Sequence, residues 1–479
     1  MSFIATAAAM STMRRRKGIT RRAAVGGMLG TAALAAAMPS LAQAPGRKPN
    51  FLFIMADDLG YADLSCYGRR DYETPVLDAL AAQGMKFTHA YANSAVCTAT
   101  RVGLITGRYQ YRLPIGLQEP GGGPEIGLPP SHPTIASLLR QQGYHTALFG
   151  KWHMGLLPRF GPLKSGYDEF WGNRGGGVDY FTHAIGGTRD LWDGEVQIDE
   201  VGYYTELLAD RAIRHLEERS REDKPFLVSM HFTAPHWPWE GPGDQAESAY
   251  LATKPGLAID HFDGGNLATY AAMVTALDHH IGRMLTRLGE LGLDRDTVVV
   301  FTSDNGGERF SDTWPFTGKK TELLEGGLRI PAIVRWPGVA QPGSESTVPI
   351  MSMDWLPTFV AAAGGAPDPA YPTDGLDLRP ALMGQAMPDR PLFWRFKNKD
   401  QKAHRLGKWK YLSIGGNEFL FDVVADPLER GNWKEREPQR FAAMKAAFEE
   451  WDAGMLHDPD APSYGFPPDK LADHFGYDS

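Results

Sequence analysis

The chain has 479 residues, 43% hydrophobic and 22% charged, a composition that excludes a disordered or fibrous protein and allows a large core without disulfide staples. Its two cysteines, Cys66 and Cys97, exclude a disulfide scaffold and any Cys-rich zinc or iron–sulfur site. The formal charge is −8, but residues 1–42 hold six basic and no acidic side chains, so the remainder carries 43 basic against 57 acidic residues and is too acidic for a general nucleic-acid binder.

The N-terminal segment reads as an address. Arg14-Arg15-Arg16-Lys17 and Thr20-Arg21-Arg22 precede a Gly/Ala-rich apolar stretch over residues 23–37, then small residues at Ser40, Ala42 and Ala44. Basic region, apolar region and small-residue cleavage site is the order of a secretory signal. The Thr-Arg-Arg step predicts a twin-arginine-type export signal over residues 1–42, cleaved near Ala42 or Ala44, and delivery to the periplasm. The apolar stretch is short and weakly hydrophobic for a bilayer span of ~20 residues. No later run is long enough, so no stable membrane anchor is expected.

Four apolar runs then end in polar groups. Residues 51–55 lead to Asp57 and Asp58, 145–149 to Lys151 and His153, 226–232 to His236, and 297–301 to Asp304 and Asn305. Such runs predict buried strands. Between them, residues 74–82, 204–219 and 266–291 carry helical patterning. The alternation predicts a doubly wound α/β fold, read as a large mixed sheet sandwiched by helices, over a domain at 48–385. Ligands of such sheets bind beyond the carboxyl ends of the strands, so the four polar clusters predict one composite site. After a Pro/Asp/Gly-rich stretch at 367–391, residues 392–396, 409–412 and 418–421 alternate and carry aromatics. They predict a small antiparallel sheet in a C-terminal α+β domain at 386–479, with a helix near 439–451 and an irregular tail from 458.

The chemistry follows from residue type. Three carboxylates and one amide oxygen, from Asp57, Asp58, Asp304 and Asn305, suit a hard cation such as Ca²⁺ or Mg²⁺; the competing reading of each pair is a turn or helix cap. Cys97 falls at the expected start of a helix, where anions bind and thiols acidify, and Arg101 lies one turn on. Cys66 reads as a buried structural cysteine. Glycine runs at 121–123 and 175–177 lack a P-loop lysine and read as loops.

The segment Cys97-x-Ala99-x-Arg101 followed by Leu104-Ile105-Thr106-Gly107-Arg108 resembles the signature of the type I sulfatases, within the alkaline phosphatase superfamily. Further motifs similar to that family recur in order: Ala56-Asp57-Asp58-Leu59-Gly60, Gly150-Lys151-Trp152-His153-Met154-Gly155, Ala234-Pro235-His236, Ser303-Asp304-Asn305-Gly306-Gly307, Lys320-x4-Glu325-Gly326-Gly327-x-Arg329, and Leu420-Phe421-Asp422 through Pro427. The resemblance spans about Lys48 to Trp433. It implies a sulfuric ester hydrolase in which Cys97 is converted to Cα-formylglycine by a maturation enzyme and its hydrate attacks sulfur. It implies Ca²⁺ on Asp57, Asp58, Asp304 and Asn305, sulfate contacts from Lys151 and Lys320, and Arg101 holding residue 97. It also implies His153 on the diol and His236 as acid for the leaving oxygen. Lys320 is favoured over Lys319 by ungapped counting to Glu325.

One departure is Ala99, where the family usually has proline; it bears on recognition by the maturation enzyme. The implied substrate is a sulfated small molecule or glycan, an aryl or carbohydrate sulfate. Trp237 and Trp239 are candidate stacking residues or loop packing, and His183 a candidate substrate contact. His89, His231 and the His279-His280 pair read mostly as packed or surface histidines. Two alternatives stand beside this reading: a phosphodiesterase or phosphonate monoester hydrolase of the same superfamily, and an unmatured sulfoglycan-binding protein.

Overall fold

Alternating apolar side chains build the core. Every residue of the strand Asn50–Ala56 is buried. Leu52, Ile54 and Ala56 join one apolar cluster, while Phe51, Phe53 and Met55 join another on the opposite face. A strand covered on both faces is apolar throughout, which is why this segment is legible as a run rather than as an alternation. The computed structural model describes residues 47–119, 125–466 and 470. The expected export signal at 1–42 and the glycine run at 121–123 lie outside the described residues.

The main sheet has ten strands in the order Ser344–Ser346, Met85–Phe87, Ala332–Arg335, Thr297–Ser303, Asn50–Ala56, Phe226–His231, His145–Gly150, Glu169–Gly172, Trp192–Asp193 and Val196–Gln197. The five strands from Thr297–Ser303 to Glu169–Gly172 are mutually parallel, with antiparallel neighbours on both flanks. The sheet is mixed, as expected. Ala56 lies opposite Ser303, and Gly150 opposite His231. The residues that follow these strands therefore emerge at one edge.

Helices cover both faces. Tyr204–Arg219 and Leu267–Glu290 pack on the Leu52/Ile54 side; Ile135–Gln141 and Trp355–Ala362 pack on the other. Local sequence fixes their ends. Asn266 caps the second helix by accepting from the amides of Ala268 and Thr269, and Pro75 opens the helix Pro75–Gln83. Among the described residues no helix is long and apolar enough to cross a membrane.

The C-terminal region forms the expected separate antiparallel sheet, in the order Leu392–Phe396, Gln401–Leu406, Trp409–Ile414, Asn417–Asp422, with the helix Pro438–Ala453 against it. The strand Gln401–Leu406 is absent from the sequence-based expectation because it reads as polar. Gln401, Ala403, His404 and Arg405 are nevertheless buried. The Gln401 amide group donates to Thr321 O and accepts from the Leu323 amide, so the polar residue ties this sheet to the loop that carries Lys320. Tyr91, Val96, Ala99 and Tyr109 share one core with Trp394, Phe421 and Phe448.

The described tail residues 458–466 are irregular, as expected, but they are anchored. The Lys397 ammonium donates to the carbonyls of Pro459 and Ala461, and the Asn398 amide donates to Ser463 Oγ. Glu119 accepts from the Lys397 amide and from Ser463 Oγ, each at 2.9 Å, and burial pushes its carboxyl up to about 7. An acid raised above its unfolded value of ~4.3 contributes stability at low pH that is lost as the pH rises through about 7. Glu119→Gln keeps an acceptor and removes that loss. The variant should match the parent's Tm at pH 5 and exceed it at pH 8; thermal scans at the two pH values check this.

Candidate active site

Three carboxylates meet at the edge of the sheet. Asp57 and Asp58 follow the strand Asn50–Ala56, and Asp304 and Asn305 follow Thr297–Ser303. All four are buried. The Asp58 amide donates to Asp304 Oδ1 at 3.2 Å, with Asp58 held at a φ of +59°. Asn305 Nδ2 donates to Asp58 Oδ1 at 2.7 Å, and its Oδ1 is buried without a hydrogen-bond partner.

Buried carboxylates require compensation, and three cations supply it. Arg101, one turn into the helix Cys97–Thr106, places Nη2 2.8 Å from Asp304 Oδ2 and 3.5 Å from Asp57 Oδ1, with Nη1 on the Lys151 carbonyl. The Lys151 ammonium is 2.6 Å from Asp57 Oδ2, and that of Lys320 is 2.6 Å from Asp58 Oδ2. Burial alone would raise the Asp58 carboxyl; Lys320, His236 and Lys151 more than offset this and hold it well below the usual range. Burial and the neighbouring Asp57 push Asp304 up to about 6.

Cys97 is the first residue of its helix and is 2% exposed. Its Sγ lies 3.3 Å from Asp57 Oδ1 and 3.8 Å from Asp58 Oδ1. Burial, then Asp304 and Asp57, raise the thiol well above its ordinary pKa. A thiol held protonated beside carboxylates is a poor nucleophile. His236 sets Nε2 3.6 Å from Asp58 Oδ2, while its Nδ1 lies 2.6 Å from the Trp237 carbonyl. Burial, then Lys320, lowers the imidazole well below its ordinary pKa.

Ligand-type atoms of Asp57, Asp58, Cys97 and His236 gather here within 4.8 Å of one another. Asp304 and Asn305 complete the wall around them through their bonds to Asp58 and Arg101. The donor set fits a hard divalent cation: carboxylate oxygens from two strand ends and an amide oxygen with no other partner.

A cavity of about 640 Å³ opens above Cys97, with His153, His236 and Lys320 at its lining. His153 sits at a φ of +58°. Gly176 makes room for it, since a Cβ there would lie 2.6 Å from His153 Cε1. The 175–177 run is thus a cavity wall pressed against the site, a role the absence of a P-loop lysine does not reveal. Other wall residues were beyond sequence reasoning: Leu156, Leu157, Arg174, Trp192, Ile259 and Tyr464. Tyr464 comes from the anchored tail, donates to Asp260 Oδ1 at 2.5 Å, and stands with its ring 5.9 Å from the Lys320 ammonium.

Two candidate contacts lie elsewhere. Trp237 lines the cavity, but Trp239 is 1% exposed and packs on Tyr270, Phe310 and Arg309 in the core. His183 is buried with Nε2 3.2 Å from the Gly202 carbonyl and its ring on Tyr204, away from the cavity lining. His231 sits behind the cluster, with Nδ1 3.2 Å from the Lys151 carbonyl; burial, then Arg101, pushes its pKa down to about 3. Cys66 is half-buried and away from the site.

The sulfatase family model matches residues 49–366. The chain is 32% identical to human arylsulfatase A over 425 residues, covering 80% of this chain and 78% of that protein. It is 33% identical to mouse steryl-sulfatase over 440 residues, covering 73% and 68%. The solved structure of Ps i-CgsB in complex with k-i-k-neocarrahexaose matches with a TM-score of 0.77 at 28% identity, covering 90% of this chain and 98% of that one. The chain belongs to the sulfatase family. It is a sulfuric ester hydrolase, and a formylglycine nucleophile and Ca²⁺ are general to its family.

Of the two adjacent lysines, Lys320 reaches Asp58, whereas the Lys319 amide joins a turn through Glu322 Oε2. Lys320→Met should cost roughly 100-fold or more in kcat on an aryl sulfate, the scale of losing one buried charge-stabilising donor. Lys319→Met should stay within a few-fold. Steady-state kinetics on both variants checks the assignment.

Proposed function

We propose that this chain removes sulfate from esters whose leaving group is aromatic or otherwise flat and apolar. In this reading Cys97 matures to formylglycine, and Ca²⁺ sits on Asp57, Asp58, Asp304 and Asn305. The observation that carries it is the cavity, in which a floor of buried charge meets walls of Leu156, Leu157, Trp192, Trp237, Ile259 and Tyr464. The floor fits a sulfate group and the walls fit an apolar body. Similarity to proteins named arylsulfatase and steryl-sulfatase supports the same reading.

The mature residue 97 would supply a hydroxyl nucleophile, and the cation would polarise sulfate oxygens. The chain's own groups do the rest. Lys151 and Lys320 each point an ammonium at the carboxylate floor, and from there each donates to a sulfate oxygen. Arg101 keeps Asp304 and Asp57 in place from below. His153 borders residue 97 across the cavity lining. His236 donates through Nδ1 to the Trp237 carbonyl, so Nε2, facing Asp58, is its basic nitrogen and passes a proton to the leaving oxygen only from the imidazolium form.

The first test is the mass of the peptide containing residue 97 from protein made in its native host, with hydrazine-type labelling of any aldehyde. Turnover of an aryl sulfate should accompany the aldehyde, and Cys97→Ala should abolish both. Faster hydrolysis of the matching phosphate ester, or of a sulfated sugar, would overturn the substrate reading. Tyr464→Ala tests the wall itself. It should raise KM for an aryl sulfate roughly tenfold, the equivalent of ~1.4 kcal/mol, with kcat little changed.

A further inference from the structure

A second group of ligand-type side chains lies at the far end of the sheet. His145 opens the strand His145–Gly150, and Glu169 opens the neighbouring strand Glu169–Gly172. Both therefore sit opposite the edge that carries Lys151. His215 comes from the buried face of the helix Tyr204–Arg219. Glu169 stands between the two rings, with Oε1 3.4 Å from His145 Nε2 and Oε2 3.0 Å from His215 Nδ1. One ligand-type atom from each residue falls within 4.8 Å of the others.

Three observations set this group apart from an ordinary ion pair. His145 Nδ1 and His215 Nε2 are buried without hydrogen-bond partners, so both imidazoles direct their polar contact at the same carboxylate. Glu169 offers one oxygen to each ring, at 3.0 Å to His215 and 3.4 Å to His145, so the three side chains gather around one point. A cavity of about 330 Å³ opens beside Glu169 and His215, leaving room for a water. The guanidiniums around it are largely compensated: Arg211 pairs with Asp193, Arg219 with Glu222, and Arg140 with Asp168, while Arg214 also lines the cavity.

We propose that His145, Glu169 and His215 bind a zinc ion whose fourth ligand is a water from the adjoining cavity. Two imidazoles with one carboxylate form a borderline set that selects Zn²⁺, whereas the all-oxygen set at the other end of the same strands selects Ca²⁺. The ion would clamp the helix Tyr204–Arg219 to the sheet. At its first residue that helix holds Tyr204, whose hydroxyl accepts from the Asn173 amide at 2.9 Å and so supports the chain that leads into the Arg174–Gly177 wall. The site is independent of the chemistry at Cys97.

The test uses the full chain, stripped with a chelator and reloaded with excess Ca²⁺. Titration with Zn²⁺ by calorimetry should show one saturable equivalent at micromolar concentration, with a Tm rise of about 3 °C. Co²⁺ should give the visible absorption bands of a four-coordinate nitrogen–oxygen site, and Zn²⁺ should displace it. His145→Gln, at a partly exposed position, and His215→Gln should each lose the bands and the Tm rise while keeping the parent's circular dichroism; Asp304→Asn should keep the bands. Absence of saturable Zn²⁺ binding in the Ca²⁺-loaded chain, or binding that survives in folded His145→Gln, would overturn the proposal.

Discussion

Six charged side chains are buried together at the edge of the main sheet. Asp57, Asp58 and Asp304 face Arg101, Lys151 and Lys320, and none is more than 4% exposed. Each charge alone would cost several kcal/mol to bury; together they tolerate burial because every carboxylate has a cation within 2.6–2.8 Å. That balance dictates the rest of the architecture. Parallel strands in register bring four loops to one edge, and the left-handed backbone at Asp58 and His153 aims two of the side chains. Strain of this kind persists only where the surroundings hold it.

A second buried charge network reinforces the first. Glu325 accepts from Tyr91 and pairs with Arg329 and Lys410, and Lys410 also pairs with Glu429. Burial alone would raise the Glu325 carboxyl, but Lys410 and Arg329 more than offset this and hold it ionised. Lys410 belongs to the C-terminal sheet, whereas Glu325 ends the segment that begins with Lys320. The small sheet therefore fixes the position of a site lysine by charge as well as by the shared apolar core.

The strands that are covered on both faces were legible because burial forces them to be apolar, and the motifs at their ends were legible because chemistry restricts residue type. Gln401–Leu406 was not, since its polar side chains are used for tertiary hydrogen bonds that leave no periodic trace. Trp237 and Trp239 look alike in sequence, yet one lines the cavity and the other fills the core, a difference set by the helix Leu267–Glu290 and by Phe310 packing beside them. The wall residues Leu156, Ile259 and Tyr464 come from distant loops, and only the folded chain brings them together.

The tail has a consequence of a different order. Charge and chemistry reside in the central strands, while one wall of the cavity hangs from residues 458–466, pinned by Lys397, Asn398 and Glu119. A substitution near Tyr464 alters the shape of what can enter and meets the buried charge balance only at Lys320, whose ion pair with Asp58 it leaves in place. Descendants of this gene can therefore explore new leaving groups through a segment that lies outside the strands holding the charged floor.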